Sequence, residues 1–381
     1  MSGAGEWIPL ARPVVGEREE ELVLEALRSR RLALGPRLSQ FEAAFARLLG
    51  VEHVSAVSSG TSGLHLAIRA AGVEAGDEVL TTPFSFVASA NCLLYENAHP
   101  VFCDIDRRTL NIDPRAAAAA VGERTSGLLP VHIFGYPADL PALERLAAER
   151  GLWIVEDACE ALGARHGDGS AVGARGNPAV FGFYPNKQLT TGEGGAVVAP
   201  SAAAKERIDS ERNQGRSPDM GWLDHDRLGF NYRLDDLSCA LGLAQIERFD
   251  ELLSGRARVA ALYGEALAGV EDLELPCPDA GGDRRSWFVY VVQLPPGVDR
   301  DGAIRSLRER GVDSKPYLPA IHLMSFYRER FGHREGEFPV CEDVARRSIA
   351  LPFFPELSDG QVERVVEALR AVIAEASVTR A

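Results

Sequence analysis

From about residue 50 to residue 200 the chain alternates between short β-rich runs and helical stretches, and that rhythm limits the folds open to it. The runs are His53–Val57, Glu78–Thr81, Pro100–Asp104, Gly127–Val131, Leu152–Glu156, Ala179–Tyr184 and Gly195–Ala199. Between them, apolar residues recur at helical spacing in Thr61–Ala71, Ser85–Tyr95, Pro114–Val121 and Leu140–Arg150. Strands separated by helix-length crossovers pair in parallel, so the pattern predicts an α/β fold with a largely parallel sheet and helices on both faces. Ligands of such sheets bind beyond the C-terminal ends of the strands. After Asp250 the texture changes: a helix at Ser254–Ala268, a Pro/Gly-rich break at Pro276–Asp283, a strand at Trp287–Leu294, then helices near Asp301–Arg310, Val340–Ser348 and Asp359–Glu375. A chain of 381 residues exceeds what one hydrophobic core organises. The expected division is a large domain over 1–250 and a smaller α/β domain over 251–381, with the N-terminal segment able to pack on the latter.

Charge narrows the partners. A formal net charge of −14, with only short, interrupted basic runs such as Arg28 to Arg31, argues against nucleic acid and against an anionic membrane surface. No stretch reaches 18 consecutive apolar residues, and Met1 to Pro13 lacks the basic and apolar regions of a secretory signal. The six cysteines are scattered without CxxC spacing, which points to reduced thiols and to no metal site. The expectation is a cytoplasmic protein.

Four motifs fall after predicted strands. In Phe181-Gly182-Phe183-Tyr184-Pro185-Asn186-Lys187 a lone lysine precedes the turn Thr190-Thr191-Gly192-Glu193-Gly194-Gly195. An enclosed amine there can attack an aldehyde, although an exposed turn lysine reads equally well from this run alone. Asp157, in Glu156-Asp157-Ala158, ends a buried strand where a carboxylate can hold a pyridine nitrogen protonated, or can simply cap the next helix. Ser58-Ser59-Gly60-Thr61-Ser62-Gly63 opens a helix and offers N–H groups to a phosphate, or forms an ordinary Ser/Thr cap. Phe86, in Phe84-Ser85-Phe86, can cover a planar ring or belong to the core.

Together with Gly35-Pro36, Gly76-Asp77-Glu78-Val79, Asn111-Ile112-Asp113-Pro114, Val131-His132-Ile133-Phe134-Gly135, Gly229-Phe230-Asn231-Tyr232-Arg233-Leu234 and Leu351-Pro352, these motifs resemble the DegT-type (DegT/DnrJ/StrS) sugar aminotransferases over about residues 10 to 375. The resemblance implies fold type I, with a mainly parallel seven-stranded sheet, and pyridoxal 5′-phosphate (PLP) as cofactor. Lys187 would hold the cofactor as a Schiff base and move the proton. Asp157 would pair with the pyridine nitrogen, Phe86 would stack on the ring, and Gly60 and Thr61 would bind the phosphate. Glu160 stands where the family commonly has Gln or His near the phenolic oxygen, and must be protonated or point elsewhere. Gly182 replaces a phosphate-binding Ser of many members, shifting weight to Thr61 and to Asn231, which would reach across an obligate homodimer into the partner's site. Arg233, Lys315 and His322 are the candidate substrate contacts. The implied reaction is ping-pong transfer from glutamate or glutamine to a keto sugar, usually nucleotide-linked, or to a keto cyclitol. A sub-branch of dehydratases has His in place of the lysine, which Lys187 disfavours, and a non-catalytic regulator keeping the fold is the remaining alternative.

Overall fold

The computed structural model describes residues 7–217 and 224–378; the first six residues of the expected large domain and the last three of the small one lie outside the described residues. Its larger part is built on strands β1 (Val54–Val57), β2 (Glu78–Thr81), β3 (His99–Phe102), β4 (Thr125–Leu129), β5 (Trp153–Ile154), β6 (Glu156–Asp157), β7 (Ala179–Gly182) and β8 (Gly195–Val198). β5 and β6 are halves of one strand interrupted at Val155. The N–H groups of Val155 and Asp157 donate to the carbonyls of Leu128 and Pro130 at 3.0 and 2.9 Å, and those of Glu156 and Ala158 donate to Pro178 and Val180 at 2.8 and 2.9 Å on the other side. Two four-stranded ladders thereby join into one seven-membered sheet ordered β1-β8-β7-β6/β5-β4-β2-β3. Every pairing is parallel except those of β8. The largely parallel sheet expected from the alternation is present with the seven strands that the resemblance implies, and the strand runs locate its members.

Helices are pressed onto this sheet by their smallest residues. A Cβ at Gly63, on helix Gly60–Ala71, would lie 2.7 Å from Val180 Cγ1 and 3.3 Å from Val57 and Val197. Only a glycine lets the helix sit that close to β1, β7 and β8. On another face, Phe41 and Phe45 of helix Pro36–Leu49 pack edge-on against Phe181 and Phe183, with ring centroids 5.3 to 5.6 Å apart. Such pairs add about 0.5–1.5 kcal/mol each beyond burial, and they anchor β7 up to the turn that carries Lys187. The helix expected at Ser85–Tyr95 begins instead at Ala88. Thr82 Oγ1 accepts the Phe84 N–H at 3.1 Å, and Ser85 Oγ meets Ser89 Oγ at 2.7 Å, so Ser85 and Phe86 stay in a turn outside the helix.

The C-terminal part carries β9 (Tyr290–Gln293), β10 (Lys315–Pro316) and β11 (Ser348–Leu351), antiparallel in the order β10-β11-β9. Helices Phe249–Leu267, Arg300–Glu309 and Asp359–Val378 share its core. The N-terminal segment adds to this core through Ile8, fully buried, whose N–H donates to the Gly311 carbonyl at 2.9 Å. No helix among the described residues is long and apolar enough to cross a membrane.

Candidate active site

The strand ends converge on a cavity of about 520 Å³. β1 delivers Ser59, Gly60 and Thr61; β2 delivers Ser85 and Phe86; β6 delivers Asp157, Cys159 and Glu160; β7 delivers Gly182 and, through its turn, Asn186 and Lys187. Tyr317 and Leu318, just after β10, close it from the smaller part.

At one wall, Ser59 Oγ accepts the Ser62 N–H and Ser62 Oγ accepts the Ser59 N–H, each at 3.0 Å. This reciprocal cap leaves the N–H groups of Gly60 and Thr61 without intrahelical acceptors, at the positive end of the helix dipole. Gly60 has to be small: its Cβ would lie 2.8 Å from Cys159 Sγ and 3.4 Å from the Gly182 Cα. Asp157 is buried and held on both oxygens. Ser89 Oγ donates to its Oδ2 at 2.7 Å and the Cys159 N–H donates to its Oδ1 at 3.1 Å. The neighbouring Cys159 thiol is pushed well up by burial, and further by Asp157. Phe86 is 61% exposed and lines the cavity.

Lys187 Nζ lies 3.8 Å from Glu160 Oε1 and 3.9 Å from the centroid of the Phe288 ring. Glu160 is buried. Its Oε2 accepts the Phe134 N–H at 2.9 Å, and burial pushes its carboxyl above the ordinary value against the pull of Lys187. The carboxyl is thus turned toward the lysine. Gln188, also buried, donates from Nε2 to the Glu160 carbonyl at 2.6 Å and to Ser286 Oγ at 2.9 Å. The Tyr317 phenol is pushed up by burial, and further by Glu160.

Of the residues singled out in the sequence, Gly60, Thr61, Phe86, Asp157, Glu160, Gly182 and Lys187 line this one cavity. Asn231 is exposed and lies outside it, on a stretch that bridges to Asn213. Arg233 also lies outside it; its Nη1 donates to Asn213 Oδ1 at 3.0 Å, while its backbone bridges to Val57. Lys315 is exposed on β10, and it is Tyr317 from the same stretch that reaches the cavity. His322 does not face the cavity. It is fully buried, its Nε2 is 3.0 Å from Glu342 Oε1, and its ring stands edge-on to Phe338 at 4.7 Å, so packing and a carboxylate already occupy it. The residues the sequence reading passed over are Ser89, Cys159, Gln188, Phe288 and Tyr317. Only Ser89, one helical turn after Ser85, and Gln188, next to the lysine, carried a local signal.

N–H groups without intrahelical acceptors, a doubly held carboxylate, an aromatic ring and an amine line one cavity and form a donor set that fits PLP. On this sheet they define a fold type I, PLP-dependent enzyme. Comparison with known proteins then places the chain. It matches the DegT/DnrJ/EryC1/StrS aminotransferase family over residues 13–370 and belongs to it. It is 34% identical over 380 residues to the spore coat polysaccharide biosynthesis protein SpsC of Bacillus subtilis (strain 168), covering 96% of this chain and 97% of that one. The crystal structure of the aminotransferase TlmJ from Streptoalloteichus hindustanus superimposes with a TM-score of 0.91 at 35% identity, covering 97% of this chain and 100% of that one. That of S. venezuelae DesV, solved in complex with a ketimine intermediate, gives 0.89 at 33% identity, covering 96% and 98%.

Proposed function

We propose that this aminotransferase moves the amino group of glutamate, or of glutamine, to a keto sugar linked to a nucleotide, for amino sugar biosynthesis in the cytoplasm. The observation that carries the chemistry is Lys187 Nζ, held at the cavity wall between the Glu160 carboxyl and the Phe288 ring. The likeness to a polysaccharide biosynthesis protein supports a sugar as acceptor.

PLP, when bound, supplies an electron sink that makes the donor's Cα–H acidic. Gly60 and Thr61 would hold its phosphate, Asp157 its pyridine nitrogen and Phe86 its face. Ser89 and the Cys159 N–H keep the Asp157 carboxylate aimed without relying on the cofactor. Lys187 would take the proton from Cα of the donor and return it to the carbon on the far side of the amine nitrogen, two bonds away, and would run the same steps in reverse for the acceptor. Glu160, raised toward its neutral form, would give the phenolic side of the cofactor a carboxyl where the family commonly has Gln or His. Asn231, exposed on its own chain, is free to complete the phosphate site of a second copy in a homodimer with shared sites.

Holoenzyme supplied with glutamate or glutamine and a panel of keto sugar nucleotides should yield an aminated sugar by mass spectrometry, and Lys187→Ala should yield none. Transfer to a free keto cyclitol but to no sugar nucleotide would overturn the substrate reading. For the shared site, mixing Lys187→Ala with Asn231→Ala chains should restore part of the activity; mixed dimers with no activity would refute it.

A further inference from the structure

Arg256 lies behind the cavity wall, on helix Phe249–Leu267, and is 3% exposed. Its surroundings are unusual for a cation. Nη1 donates to the Phe288 carbonyl at 2.9 Å, and Nη2 donates to the carbonyls of Asn186 and Lys187 at 3.1 and 2.7 Å. Its guanidinium carbon stands 5.8 Å from the centroid of the Phe353 ring, and its Nε is buried without an acceptor. No carboxylate pairs with it among the described residues. Burial alone acts on the group, pushing it down to about 10, so it stays charged at neutral pH. An unpaired buried charge is costly, and an apolar side chain would fill the same space without that cost. What an apolar side chain cannot do is gather carbonyls from two separate elements in one planar fork.

The three carbonyls belong to the turn that carries Lys187 and to Phe288, the residue whose ring lies against the Lys187 amine at 3.9 Å. We infer that Arg256 is a positioning residue for Lys187: its guanidinium locks the Asn186–Lys187 backbone to that of Phe288, so that the amine is held between the Phe288 ring and Glu160 while the side chain remains free to swing. Both ends of the contact are set by the same group. Loosening it displaces the base from its proton path without removing any residue that lines the cavity, and displacements of this kind cost on the order of 100-fold in rate. The inference rests on Lys187 being the reacting lysine.

The test uses a feature of the sequence. The chain contains three lysines, Lys187, Lys205 and Lys315, so reductive methylation of apo-protein followed by peptide mass spectrometry reads each amine separately. In Arg256→Gln, Lys187 should methylate several-fold faster while Lys205 and Lys315 keep their wild-type rates. The single-turnover reaction of the holoenzyme with glutamate should slow by about 10- to 100-fold at an unchanged glutamate concentration dependence. Arg256→Lys, which keeps the charge but not the fork, should fall between. A folded Arg256→Gln with wild-type Lys187 reactivity and wild-type turnover overturns the inference. If Arg256→Gln does not fold, Arg256→Lys decides by the same two readings; if neither folds, Arg256 is structural and the inference falls. Lys187→Ala run in parallel separates the two ideas, because a Schiff-base absorption band there unshifted from that of the wild type would sink the site assignment itself, whatever Arg256 does.

Discussion

Replacing Glu160 by Gln tests the electrostatics of the site without changing its shape. The amide oxygen can still accept the Phe134 N–H that now meets Oε2 at 2.9 Å, and the amide nitrogen takes the place of Oε1, 3.8 Å from Lys187 Nζ. What is lost is a charge pair worth roughly 4 kcal/mol at that separation and an effective dielectric of about 20. What is relieved is the desolvation of a fully buried carboxylate, several kcal/mol. Because the carboxyl is raised above its ordinary value of 4.5, with burial the largest cause, desolvation outweighs the pair. Below the ordinary value both folded and unfolded chains carry the proton, and the group does not affect the slope of stability with pH. As pH rises past it the unfolded chain ionises first, so wild-type stability falls by up to about 1.4 kcal/mol per pH unit until the folded carboxyl ionises too. Glu160→Gln lacks that loss. Urea unfolding of both apo-proteins at matched concentration, between about pH 5 and 8, should show the variant gaining on the wild type as pH rises from the acid end. Parallel curves, or a gap that narrows with rising pH, would refute the assignment of a raised, buried carboxyl beside the lysine.

Gly60→Ala brings a Cβ to 2.8 Å from Cys159 Sγ and should destabilise the protein by about 1–3 kcal/mol, most of it recovered in Gly60→Ala/Cys159→Ala; an unrecovered cost in urea melts would place the obstacle elsewhere. Gly182→Ser adds a hydroxyl where a Cβ meets Cys159 at 3.4 Å, an ordinary contact, and should tighten cofactor binding about tenfold in a fluorescence titration, whereas unchanged affinity would show that the phosphate lies out of its reach. His322→Ala should lower stability by about 1–3 kcal/mol, since Glu342 loses a buried partner, and leave both substrate KM values unchanged; a raised KM would return His322 to the substrate site.

The sequence by itself determined the alternation of strands and crossovers, and with it the edge of the sheet where the cavity lies. Each of Gly60, Phe86, Asp157 and Lys187 follows a strand run within a few residues, so predicting the strand also predicted where its motif would emerge. Those are local properties: an apolar period and a turn are written in adjacent residues. The tertiary structure decided what arrives from far along the chain. Tyr317 rather than Lys315 closes the cavity, His322 is spent on Glu342, Gln188 reaches Ser286 across 98 positions, and Arg256 grips the Lys187 carbonyl across 69. It also decided which neighbours the Leu152–Glu156 strand bonds on each side. Such contacts depend on how elements pack and which way each side chain turns, and no residue's immediate neighbours encode that. The alternation of strands and helices therefore located the lysine, while Phe288 and Arg256, which hold it in place with Glu160, came from another part of the chain.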